Sequence, residues 1–213
     1  MTVRRYVKRV IDACVLAVVA PFAILCALEK KRGGTALFVM GAQCCALVPG
    51  LPGVFLRRAF YRLTLEACGE SFFVGFGAWF SQRASRIDED VYIGPYAVIG
   101  SCHLGRGALV GTRCSILSGG GLHSLDSTGR WTPTDARRMQ TIHIGDHAWL
   151  GESCVVLADV GSSAMVVAGA VVSAAVPPSV VVAGNPARFV RYLTPPISTE
   201  QEHHATATAV SLS

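Results

Sequence analysis

Residues 87–117 read IDEDVYIGPYAVIGSCHLGRGALVGTRCSIL. Ile87, Ile93, Ile99, Leu104, Val110 and Ile116 recur every six residues, apart from one step of five between Ile99 and Leu104. An α-helix repeats its apolar face every 3.6 residues and a half-buried strand every 2. A period of six fits a short strand plus a tight corner, and three such hexads close one triangular coil. The ladder extends back to Phe80 and Val74. It runs forward to Leu122, then resumes through Ile144, Leu150, Val156, Val160, Val166 and Val172, fifteen positions in all. One step is seven (Phe80 to Ile87), one is four (Val156 to Val160), and one long gap separates Leu122 from Ile144. Eight of the fifteen positions are followed by Gly, which is expected to permit a corner backbone that a Cβ would block. The fold is therefore expected to be mainly β, a parallel β-helix of about five coils over residues 74–178. A β-sandwich would space its strands 8–12 residues apart, which the period excludes.

The rest of the composition points to a membrane. The chain has 213 residues, is 51% hydrophobic and only 15% charged, and its mean hydropathy is +0.45. Those values exceed what an ordinary soluble enzyme needs. The net charge of +5 is carried in clusters: Arg4, Arg5, Lys8 and Arg9; Lys30, Lys31 and Arg32; Arg57, Arg58 and Arg62. Each cluster flanks an apolar stretch, which suits anionic headgroups, and no nucleic-acid reading motif accompanies them. The eight cysteines form no CxxC pair and sit in apolar runs. That pattern points to reduced, buried thiols in a cytosolic compartment rather than zinc or disulfides.

Two apolar stretches, VIDACVLAVVAPFAILCAL (10–28) and TALFVMGAQCCALVPGLPGVFL (35–56), each approach the roughly 20 residues that span a bilayer. A signal peptide is the competing reading of the first. Asp12, Pro21 and the absence of a small-x-small cleavage site count against it. Positive charge flanks both stretches on every side, so a two-span hairpin would carry Lys30, Lys31 and Arg32 to the wrong face. Pro21 and the run Pro49-Gly50-Leu51-Pro52-Gly53 also break helices. Residues 1–58 are therefore expected to dip into or lie along the membrane. The alternative is a helical hairpin buried in an oligomer. Residues 8–31, KRVIDACVLAVVAPFAILCALEKK, resemble the re-entrant helix of bacterial sugar-phosphate transferases, with its Lys-Arg-x-x-Asp start and central Pro. Residues 59–73 are expected to be a connector, 179–193 a C-terminal segment of the coenzyme A site, and 194–213 a disordered polar tail.

The segment Ile142–Arg191 carries Ile144-Gly145-Asp146, Trp149-Leu150-Gly151 and Gly184-Asn185-Pro186-Ala187-Arg188. From Val74 to Arg191 the chain resembles the hexapeptide-repeat acyltransferases, in the branch of galactoside, maltose, xenobiotic and polysaccharide O-acetyltransferases. The resemblance implies a left-handed coil, although parallel crossovers are normally right-handed. It also implies a homotrimer with active sites between subunits and acetyl-CoA as co-substrate; no histidine pair forms an HExxH motif, so no metal is expected. Members carry a catalytic His where a long loop leaves the coils. Here His123 follows the last rung before the gap, and the loop SLDSTGRWTPTDARRMQT (124–141) comes after it. Acyl transfer to a hydroxyl needs a base, and neutral imidazole can serve near pH 7. His103, His143 and His147 are rival histidines, whereas His203 and His204 lie in the polar tail. By the resemblance, Trp149, Gly151, Ala168, Ser173, Arg188 and Arg191 would contact coenzyme A, the arginines through phosphates. Many relatives have Thr-Lys where this chain has Ser173-Ala174, so one phosphate-binding Lys is missing. Arg130 and Trp131 in the loop are candidate acceptor contacts.

The expected function is acetyl-CoA-dependent O-acetylation of a sugar, glycan or lipid-linked polysaccharide precursor. The expected place is the cytoplasmic face of a bacterial inner membrane, with lipid contact through residues 1–58. Two alternatives stand: acetylation of a small soluble acceptor such as an antibiotic, serine or free sugar, and a non-catalytic β-helix scaffold.

Overall fold

The computed structural model describes residues 3–193; the expected tail 194–213 lies outside them. Three helices come first: α1 (Val3–Lys31), α2 (Ala36–Ala46) and α3 (Gly50–Thr64). The first apolar stretch forms one helix that continues through Pro21, and its Val10–Lys31 portion is long and apolar enough to cross a membrane. The second stretch does not form one helix: it breaks at residues 47–49, between α2 and α3.

Sixteen short strands follow. The first face of the coil holds β1 (Ala67–Cys68), β4 (Arg86–Ile87), β7 (Cys102–Leu104) and β10 (Ile142–Ile144), extended by bridges at Val160 and Val176. The second holds β2 (Phe72–Val74), β5 (Val91–Ile93), β8 (Leu109–Val110), β11 (Trp149–Leu150), β13 (Met165–Val166) and β15 (Val180–Ala183). The third holds β3 (Trp79–Phe80), β6 (Val98–Ile99), β9 (Ser115–Ile116), β12 (Val155–Val156) and β14 (Val171–Val172). All these ladders are parallel; only β16 (Arg188–Tyr192) pairs antiparallel, with β15.

The solenoid has six, six and five rungs on its three faces, about six turns rather than the five expected. It starts at β1, inside the segment expected as a connector, because its first rung is Cys68 rather than an aliphatic residue. It ends beyond Val172, with rungs Val176 and Val182. Leu122 is not a rung. Its spacing fits, yet it belongs to no strand and is only half-buried. True rungs such as Ile93, Leu104 and Leu150 are fully buried, each worth roughly 1.5–3 kcal/mol by transfer out of water.

The corners follow a stricter rule than the ladder suggested. The glycine after a rung is not there for positive φ. At Gly145 an added Cβ would lie 2.4 Å from Ser162 N, and at Gly151 2.5 Å from Ala168 N. These positions are excluded by the next coil's backbone, a close-approach role rather than a conformational one. The left-handed residue comes two positions later. Asp90, Tyr96, Arg113, His147, Ser153, Ser163 and Ser179 all have φ between 55° and 60°. Both regular corners use it, and every step across them is six residues. All irregular steps fall at the third corner, between the third and first faces, where buried Ser85 and Ser101 hydroxyls bond backbone groups of neighbouring coils.

The helices plug the open end of the first coil. Tyr61 stacks edge-on against Phe80 at 5.0 Å, its hydroxyl accepts from Phe80 N, and Phe60 packs on Phe38. Buried Arg57 donates to the carbonyls of Val74, Cys45 and Val48, tying α2 and α3 to β2. Arg83 reaches from the coil to Cys26 O (2.8 Å) and Glu29 Oε2 (3.1 Å) on α1.

The three outer faces differ. The second presents the column Phe73, Tyr92, Leu109, Trp149 and Met165, and the third Trp79, Val98, Ser115, Val155 and Val171. The first presents Arg86, His103 and His143 in register, with Asp159 exposed beside His143.

Candidate active site

The excursion leaves the irregular corner after Leu117, five residues before Leu122, and returns at Thr141. Its neck is pinned twice: Gln140 N donates to Ser118 O (2.9 Å), and the hydroxyls of Ser101 and Thr141 share a hydrogen bond at 2.8 Å. Above the neck, Asp135 N donates to Leu122 O (2.9 Å). Beyond that the chain forms a β-hairpin. Leu125 and Trp131 are bridged antiparallel, Thr132 N donates to Ser124 O (2.8 Å), and Asp126 N to Arg130 O (2.9 Å).

The turn Asp126-Ser127-Thr128-Gly129 is organised by one carboxylate. Asp126 Oδ1 accepts from Thr128 Oγ1 (2.7 Å), Thr128 N (2.8 Å) and Arg130 N (3.0 Å). The Thr128 hydroxyl, followed by the two backbone amides, holds this carboxyl below the ordinary carboxylate range; slight desolvation opposes them.

His123 sits at the base of this hairpin, exposed. Its Nδ1 lies 2.9 Å from Thr132 O. A carbonyl only accepts, so Nδ1 carries the proton and donates. In the neutral ring, Nε2 then bears the free lone pair, which a general base requires. The rivals are placed differently. His103 Nε2 is directed to Asp88 Oδ2 at 3.1 Å, and its ring meets His143 edge-on at 5.7 Å. Both project from the polar first face. His147 occupies a left-handed corner position over Gly107.

The residues expected at coenzyme A sit along the later coils. Trp149 is half exposed in the second face's outer column. Gly151 and Ala168 stack at the corner between the second and third faces, with Ala168 exposed above. Ser173 is exposed just past β14. Arg188 and Arg191 are exposed on β16, and among the described residues neither meets a carboxylate; each bonds only a neighbouring carbonyl. Two guanidiniums free of acidic partners on the same strand fit phosphate binding. Trp131 is 73% exposed, and Arg130 is exposed beside it. No hydrogen bond joins His123 to the expected coenzyme A residues among the described residues. Thr132, which orients the imidazole, and Asp126, which closes the turn, were not foreseen. The Asp-x-x-Gly turn signature was the available signal for the latter.

No family model matches the chain. A curated relative, "Putative lipopolysaccharide biosynthesis O-acetyl transferase WbbJ" of Escherichia coli (strain K12), is 28% identical over 173 residues, covering 69% of this chain and 88% of that protein. A maltose O-acetyltransferase from Clostridium difficile 630 superposes with TM-score 0.62 at 17% identity, over 75% of this chain and 90% of its own. A hexapeptide-repeat acetyltransferase from Vibrio cholerae, complexed with acetyl coenzyme A, superposes with TM-score 0.60 at 22% identity, over 76% and 92%. The chain has the fold of the hexapeptide-repeat acetyltransferases. Its solenoid is accordingly the left-handed parallel β-helix. In the hexapeptide-repeat fold of this chain, the excursion interrupts the stack between the third and fourth coils.

Proposed function

We propose that this chain is an acetyl-CoA-dependent O-acetyltransferase of a sugar, glycan or lipid-linked polysaccharide precursor, with His123 as the general base. The observation that carries it is the bond from Nδ1 to Thr132 O, which leaves Nε2 free. The relatives in sequence and fold are named as O-acetyl transferases and acetyltransferases, which supports the reaction class.

Acetyl-CoA supplies the thioester. His123 Nε2 takes the acceptor's hydroxyl proton as the oxygen attacks the thioester carbonyl. The C–S bond then breaks, and the imidazolium returns the proton to the departing thiolate. Arg188 and Arg191 would hold phosphates, Ala168 and Ser173 the pantetheine and nucleotide ends, and Gly151 and Trp149 the region near the acyl group. Ala174, where the family resemblance leads one to expect Lys, leaves this phosphate contact to the two arginines. Arg130 and Trp131 would meet the acceptor.

A homotrimer is part of the reading. A closed ring of three uses two different faces of each subunit. One of the coil's outer columns is apolar throughout, a second is apolar apart from Ser115, and the remaining one is polar, which supports that arrangement. The apolar helices support attachment to a membrane, and their basic flanks support its cytoplasmic leaflet.

Replacing His123 by Ala tests the central assignment. Acetyl transfer from acetyl-CoA should fall by roughly 10²–10⁴-fold, with circular dichroism and sedimentation unchanged. Full turnover by the variant would remove the base assignment. Comparing envelope glycans and lipid-linked intermediates by mass spectrometry, with and without the protein, identifies the acceptor by its missing acetyl group.

A further inference from the structure

Along the outer side of the helical layer runs a groove between α1 and α3, lined by Ile11, Cys14, Val15 and Val18 on one side and by Leu51 and Phe55 on the other. Its volume is about 580 Å³, and its lining carries almost no polar surface. The helical layer carries large apolar side chains open to the exterior, Val18 and Leu51 among them at the groove itself. Val18 is 76% exposed, Ile24 60%, Leu47 71% and Leu51 73%. An open apolar groove with exposed apolar side chains on its rim marks a binding face rather than a solvated one.

The charge distribution selects the partner. Residues 1–65 hold ten of the chain's basic residues and two of its acidic ones, a balance of +8; the remainder hold nine against twelve, or −3. Both acids of the helical layer are already engaged inside it. Asp12 pairs with Arg58, and Glu29 accepts from Leu37 N (2.8 Å) and pairs with Arg83. Lys30, Lys31 and Arg32 are exposed at the C-terminal end of α1. An apolar face with an uncompensated cationic edge complements an anionic leaflet.

The attachment of α1 sets its orientation. It is tied to the body at Asp12, Cys26 and Glu29. Those ties extend over about 26 Å at 1.5 Å per residue, nearly the thickness of a hydrocarbon core, about 30 Å. For α1 to cross the bilayer, it would either break all three ties or carry Arg57, Arg58, Arg83 and the first coil into hydrocarbon. Lying flat breaks none.

We propose that the three helices lie in the plane of an anionic leaflet and that the α1–α3 groove takes the hydrocarbon tail of a membrane lipid. The inference rests on the membrane-associated acetyltransferase reading above and gives it a geometry. The loop bearing His123 leaves the third coil, two coil spacings from the plugged end, or about 10 Å along the axis. An acceptor anchored by its tail in the leaflet would therefore present its sugar close to the catalytic loop.

The test uses the full chain with vesicles of phosphatidylcholine, with and without phosphatidylglycerol carrying a photoreactive group in its acyl chain. Flotation is expected with the anionic vesicles, and peptide mapping should find label on residues 11–18 and 51–56. Val18→Trp, which fills the groove from its exposed rim, should lower that label about tenfold, the loss of roughly two buried methylenes, while flotation persists. Ile24→Trp, on the same helix outside the groove, should leave it unchanged. Label spread evenly along α1, or unchanged in Val18→Trp, overturns the tail site. Absence of flotation, with self-association by light scattering that Val18→Trp abolishes, assigns the face to a second copy and overturns the proposal. Acetyl-CoA binding to the full chain is measured in parallel by calorimetry. Its absence would strike the enzymatic reading and leave the lipid result standing.

Discussion

At His123 one ring nitrogen is committed to Thr132 O and the other is open, whereas His103 spends its Nε2 on Asp88. The two sites make opposite predictions. His103→Ala and His143→Ala, on the polar first face, should leave the acetylation rate within about twofold, since neither holds an open lone pair at the loop. A loss in either comparable to that in His123→Ala would move the base to the first face. The glycines give a second test at this scale. Gly145→Ala places a methyl 2.4 Å from Ser162 N, whereas Gly121→Ala meets nothing within 4 Å. The first should destabilise by about 1–3 kcal/mol through overpacking and the second by less than about 0.5 kcal/mol, read from urea unfolding.

In the proposed mechanism the hairpin positions the base, and Asp126 holds its turn. Its carboxyl titrates lower when folded than its ordinary value of 3.8. A depressed acid stabilises the fold above its unfolded pKa and loses that contribution as pH falls through the folded value. Amide exchange at Arg130 should therefore stay protected at neutral pH and open as pH falls below about 3.8. Asp126→Ala should abolish the protection at neutral pH and lower kcat several-fold without changing the coil, because Thr132 O no longer fixes His123; an unchanged kcat would show that the hairpin is dispensable. This element also marks the limit of what the sequence revealed. The six-residue ladder identified the coil because each rung must fill the same narrow interior. Leu122 misled because Ser118-Gly119-Gly120-Gly121 keeps the spacing while the backbone has already left the stack. Cys68 was missed because a thiol replaces the aliphatic rung. Two bonds that shape the site, from His123 to Thr132 O and from Arg130 N to Asp126, join backbone to side chain across a turn. Periodicity carries no information about such bonds.

For the whole molecule, the contrast between faces becomes a statement about assembly. A closed ring of three buries two faces of each subunit and leaves one for water, and the outer columns divide in that way apart from Ser115 on the third face. Tyr92→Glu or Leu109→Glu, both on the second face's column and 42% and 43% exposed in the single chain, would bury an unpaired charge in the proposed interface, at a cost of several kcal/mol. Either should yield monomers by sedimentation and lose acetyl transfer, because a site lying between subunits is then incomplete. Arg86→Glu, on the polar face, should change neither. The directions must diverge if the assembly is right. Equal disruption from Arg86→Glu would mean that the polar face is also buried. Monomers that still transfer acetyl groups would mean that each chain holds a complete site. The helical layer would then stand at one end of a ring whose three plugged ends face the same way, so that one bilayer plane could receive all three.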